Sequence, residues 1–166
     1  MTSKRAYKLF RFSLSVRIIY IVLLAVAFNI FISWLIDQMP FFQPLVPDES
    51  INKLADDVGP VVFFFFAVAL APFIETIFFQ AFIIELTKLN QKRLRWKSNI
   101  YPIIFSATAF SLIHVYSLTY VVVTFFVGLC LAYTYIIVRK RKQNPILVVT
   151  IVHATHNLIV FTLEHV

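Results

Sequence analysis

Glycine, cysteine and charge are the scarce components of this 166-residue chain. It has two glycines and one cysteine, and Asp, Glu, Lys and Arg together make up 14% of it. With a single cysteine, Cys130, an internal disulfide is excluded. With only Gly59 and Gly128, the broken, glycine-interrupted spans of a small transporter are disfavoured. The scarcity of charge excludes an ordinary soluble domain, which is seldom more than half apolar. What fills the chain instead is 60% hydrophobic residues, with nineteen Phe and a mean hydropathy of +0.84. The composition is that of an integral membrane protein, and the length fits one compact bundle.

The net charge of +7 raises the question of nucleic acid, and the placement of the charges answers it. Thirteen of the fifteen basic residues fall in three clusters: Lys4 to Arg11, Lys88 to Lys97, and Arg139 to Lys142. The acids Asp37, Asp48, Glu49, Asp56, Asp57 and Glu164 occupy the segments between and beyond them. Alternation of this kind is the positive-inside pattern of a multi-span protein, so no nucleic-acid partner is expected. The partners implied are membrane lipids.

Five apolar runs approach the roughly 20 residues needed to cross a bilayer. They cover about Leu14–Ile36, Pro60–Leu86, Ile100–Ser117, Leu118–Val138 and Pro145–Leu163. The expected fold is therefore all-α, a polytopic transmembrane helix bundle of about five spans. Its amino terminus is cytoplasmic and its carboxyl terminus outside. The first run reads as a retained signal anchor, because its apolar stretch is too long for a cleaved signal. Residues 1–59 then comprise that anchor and a proline-bearing outer loop ending in a short interfacial helix, and residues 60–166 a four-helix core. The FFFF run at Phe63–Phe66 reads as a lipid-facing surface.

Polar side chains inside such spans are functional hypotheses by default, since each is costly to bury. The second run carries Glu75, Thr76, Gln80 and Glu85, the third His114, and the fifth His153, His156 and Asn157. Glu85 lies near the basic loop and reads as an edge ion pair with Lys88. At ~1.5 Å per residue, Glu75 lies about 20 Å and His114 about 25 Å from the basic end of its own span. His153 and Asn157 lie roughly 17 and 22 Å from theirs, so three helices deliver polar groups to one layer. The pairs Phe110–His114, Thr76–Gln80 and His153–Asn157 are each four apart and project from one helical face. Pro72 is expected to kink the second span just before Glu75. A glutamate with imidazoles and an amide in a wet pocket suits hydrolysis. The carboxylate can act as general base on a water, an imidazole can share that role, and a second imidazole with the amide can donate to a developing oxyanion. The alternative is interhelical hydrogen bonding that only holds the bundle together.

The sequences APFIETIFFQ, FSLIH (Phe110–His114) and HATHN (His153–Asn157), in this order, resemble the motifs of the CPBP family of membrane proteins. That family comprises the type II CAAX prenyl proteases and bacteriocin-processing (Abi) proteins. FFVGLCLAY, with Gly128 four residues before Ala132, resembles the family's glycine-bearing span. The resemblance covers about residues 60–163. It implies an intramembrane glutamate endopeptidase of the bacterial inner membrane, with a peptide or membrane protein as substrate. Glu75 and His114 would activate water, and His153 and Asn157 would stabilise the oxyanion. Thr76, Gln80, Phe110 and His156 would support them. No cofactor is implied. A Glu with two His could hold zinc, but the chain has no HExxH. It departs from the pattern where Thr76 and Gln80 replace a Glu and an Arg. A non-catalytic scaffold or bacteriocin-immunity protein of the same family is the alternative function.

Overall fold

The computed structural model describes residues 57–95, 98–115 and 118–164, together with 19–21, 23–28, 30–31 and 34–35. Among them every regular element is helical. The outer loop and its interfacial helix lie outside the described residues up to residue 56, as do both ends of the proposed signal anchor. The first core helix, α1, is a continuous helical run. It comprises Pro60–Phe65, Phe66–Leu70, Ala71–Glu75, Thr76–Phe82 and Ile83–Leu94, the second and fourth of these being π-helical. Three further helices follow: α2 (Ile100–Leu112), α3 (Leu118–Lys140) and α4 (Pro145–Glu164).

The helix ends follow from local chemistry. Pro60 opens α1, where its missing amide costs nothing, behind Gly59 at φ 83°. Asn144 caps α4: its Oδ1 accepts from the Leu147 amide at 3.1 Å, with Pro145 at the first position. That is the preferred polar N-cap followed by proline. Arg95 and Lys142, both left-handed at φ 56°, turn the chain after α1 and α3.

Among the described residues three helices are long and apolar enough to cross a membrane: Pro60–Gln91, Tyr120–Lys140 and Pro145–Thr162. The third apolar run is shorter than its sequence suggests. Its helix stops at Leu112 after 13 residues, about 20 Å of rise, and the chain turns before His114. Continuous hydrophobicity up to His114 hid this end, since no breaker precedes it.

α3 is the central element, with 56% of its apolar window buried against 17% for α1 and 22% for α4. Val123, Val127, Leu131 and Tyr135 recur every four residues and are all buried, which makes one continuous inward stripe. Around them Ile84, Phe110, Val149 and Val152 complete the core. The amino-terminal helical residues join it through buried Ala25 and Val26, and through Phe28 stacked on Phe126 at 3.8 Å. Gly128 sits where α3 meets α2. A Cβ there would lie 2.9 Å from the Cα of Ala107, so the small residue sets how closely the two backbones approach. Outward, Phe64, Phe65 and Phe66 are exposed, which agrees with a lipid-facing FFFF run.

Candidate active site

Glu75 closes the short α-helical segment between the two π-helical stretches of α1. π-turns are rare and concentrate at functional sites. The proline three residues earlier does not simply break the helix. Instead the turn before it widens: the Ala71 amide bonds the Phe66 carbonyl, five residues back. This wider turn lies directly before Pro72, the residue at which a kink was expected.

The carboxylate of Glu75 is shared between two imidazoles. Oε1 lies 3.8 Å from His114 Nε2 and Oε2 lies 3.6 Å from His153 Nε2. Both distances exceed a direct hydrogen bond, so each imidazole faces the carboxylate without bonding it. The glutamate side chain keeps 19% of its exposure and His114 keeps 13%, while His153 keeps 3%. One side of the group is therefore accessible and the other is sealed.

His114 stands just beyond the end of α2, where its own amide bonds the Ser111 carbonyl at 3.0 Å. It is thus not on the helical face that its spacing from Phe110 suggested. Its ring is nonetheless tied back to that residue, with Nδ1 2.7 Å from the Phe110 carbonyl oxygen. A carbonyl can only accept, so Nδ1 carries the hydrogen, and in the neutral ring Nε2 presents its lone pair toward Glu75. Phe110, buried to 2%, packs against the rings of His114 at 4.6 Å and His153 at 5.5 Å. The aromatic expected beside His114 thus touches both imidazoles. Tyr120 lies against His114 at 5.8 Å and Phe79 against Phe110 at 5.9 Å. Neither was singled out by the motifs, and no spacing rule would have found them.

The remaining sequence candidates divide. Asn157, one helical turn after His153 on α4, donates from Nδ2 to the Ala67 carbonyl at 2.9 Å. Thr76 and Gln80 are fully buried, and among the described residues their Oγ1, Nε2 and Oε1 atoms have no hydrogen-bond partner. His156 is buried, and its Nδ1 is likewise without a partner. Glu85 does form an ion pair, but with Arg139 of α3 rather than Lys88, and it accepts from Tyr135 at 3.3 Å. Among the described residues no group of three His, Cys, Asp or Glu is placed to hold a metal ion.

Comparison with known families decides the relationship. The model for type II CAAX prenyl endopeptidase Rce1-like proteins matches residues 57–159, well over half of the chain. The chain belongs to the Rce1-like family. The match covers the first three core helices, most of α4 and every residue around Glu75, from the π-helical part of α1 to Asn157. No curated protein and no solved structure matches the chain. An Rce1-like chain with three apolar helices of spanning length is an integral membrane protein of a protease family.

Proposed function

We propose that this Rce1-like protein is an intramembrane endopeptidase that hydrolyses a peptide bond of a membrane-associated protein or peptide by glutamate-activated water. The observation that carries the reading is the placement of the Glu75 carboxylate within 3.6–3.8 Å of both imidazole Nε2 atoms. Water held between Glu75 and the His114 lone pair loses its proton to the carboxylate as its oxygen attacks the scissile carbonyl. His153 and the second N–H of Asn157 face the oxygen on which negative charge develops. Glu75 then returns the proton to the amide nitrogen as the C–N bond breaks. None of these steps calls on a cofactor. The membrane is proposed to be the bacterial inner membrane, with the basic ends of the helices in the cytoplasm.

The test is cleavage of a peptide library by purified protein in lipid nanodiscs. Glu75→Ala, His114→Ala and His153→Ala are each expected to lower turnover by roughly 10²–10⁴-fold, the usual worth of general acid–base catalysis. Turnover is also expected to survive a metal chelator unchanged. Cleavage retained in all three variants would sink the mechanism, and loss of activity to chelator would replace it with metal chemistry. A chain that binds its partner but cleaves no peptide would be the non-catalytic scaffold, for which the unpartnered Thr76 and Gln80 are the supporting feature.

A further inference from the structure

In each π-helical stretch of α1 the amide that an α-helix would give one carbonyl goes to another acceptor, and in each case a side chain from another helix bonds that carbonyl. In an α-helix the Ala71 amide would bond Ala67; here it bonds Phe66. The next amide that could reach Ala67 belongs to Pro72, which has none. The Ala67 carbonyl thus lacks a donor from its own helix, and Asn157 Nδ2 supplies one from α4 at 2.9 Å. In the second stretch the Ile83 amide would bond Phe79, but it bonds Phe78 and Gln80 instead. There Ser106 Oγ, from α2, donates to the Phe79 carbonyl at 2.9 Å. Ser106 is fully buried. The hydroxyls of Ser111, Thr124, Thr134 and Thr155 all bond carbonyls of their own helices, so the cross-helix bond of Ser106 is not a generic way of satisfying a buried hydroxyl.

We propose that Ser106 is a positioning residue for Glu75. With Asn157 it clamps the two widened turns that bracket the glutamate and so holds the carboxylate between His114 and His153. The path is short, because the residue whose carbonyl Ser106 holds, Phe79, also rests its ring on Phe110, which packs on both imidazoles. The clamp itself stands on the hydrogen bonds, and its consequence for turnover rests on the reading of Glu75 as the base.

The experiment compares Ser106→Ala, Ser106→Thr and Ser111→Ala in nanodiscs. Ser111 is the control, a buried serine on the same helix whose hydroxyl bonds only within it. Two readouts do not need cleavage: amide hydrogen exchange over residues 76–84, and the rate at which a carbodiimide labels Glu75. Ser106→Ala is expected to speed exchange about fivefold, as the loss of one net hydrogen bond predicts, and to change the labelling rate by a similar factor. Ser111→Ala should move neither, and Ser106→Thr, which keeps the donor, should stay near wild type. With a cleavable peptide, Ser106→Ala should lower kcat about tenfold with KM within about twofold, because misplacement of a catalytic group is felt in the chemical step. Unchanged exchange and labelling in Ser106→Ala, or equal changes in Ser111→Ala, would overturn the clamp. Altered labelling in a protein that cleaves nothing would retain the clamp and reject only the protease reading.

Discussion

Thr76 and Gln80 are the residues at which this chain is least conventional. Both are fully buried, four apart, and have polar atoms without partners, each such group costing about 1–3 kcal/mol. The motif that the segment resembles carries a Glu and an Arg at these two places, a pair that would satisfy itself. Thr76→Glu alone or Gln80→Arg alone places an unpaired charge in the bundle, and each is expected to cost about 3–5 kcal/mol of stability. The double variant should recover most of that loss. Thermal unfolding of the four proteins of this cycle in one detergent measures the coupling; additive losses would mean that the two positions do not face each other. At this scale the sequence was informative where chemistry is rare. Ionisable groups in apolar runs stand out, and Glu75, His114 and His153 do come together. The hydrogen bond of Asn157 to Ala67 was not legible, because in an α-helix the missing Pro72 amide strands Val68 and only the wider turn moves the vacancy to Ala67. Ser106 had no signal either, since a serine in an apolar helix ordinarily bonds back to its own backbone.

Between elements, the decisive contact is that of α2 with α3, the most extensive in the bundle. Gly128 allows it, and its spacing from Ala132 in the sequence already marked a close helix crossing. A Cβ at Gly128 would meet the Ala107 backbone at 2.9 Å and Phe110 Cδ1 at 3.2 Å. The first atom is backbone and cannot yield without moving α2. The second belongs to the ring that supports both imidazoles. Gly128→Ala is therefore expected to destabilise by about 1–3 kcal/mol, the usual cost of overpacking, and to depress any peptidase turnover as well. Stability is read from a thermal melt in detergent and turnover from peptide cleavage; an unchanged melting temperature would refute the close packing. What the sequence did not disclose at this scale is the π-helical character of α1. A hydrophobic run satisfies α- and π-hydrogen bonding equally well, and the choice is made by neighbours that bond the displaced carbonyls. The early end of α2 was hidden for a related reason, because apolar residues continue through the turn.

Taken whole, the bundle has one basic end. α1 finishes and α2 begins around the segment carrying Arg93, Arg95 and Lys97, and α3 finishes and α4 begins around Arg139–Lys142. The Glu85–Arg139 ion pair, with Tyr135, joins α1 to α3 toward that same end. All-helical architecture and clustering of charge were legible in the sequence because both follow from the solvation of single residues in lipid or at its edge. The end of α2 was not, because apolar residues continue past Leu112. At about 20 Å, α2 falls short of a hydrocarbon core of about 30 Å. Its carboxyl end leaves His114 beside Glu75 of α1, 3.8 Å away. This geometry predicts opposite exposures for the two ends of α2. With Cys130 replaced by alanine, Ser98→Cys at the basic end should react with a membrane-impermeant maleimide only after cells are opened. Val115→Cys, exposed just beyond His114, should be labelled from outside or through the path by which water reaches Glu75. Labelling of Ser98→Cys in intact cells would invert the bundle, and with it the side from which a substrate meets the glutamate.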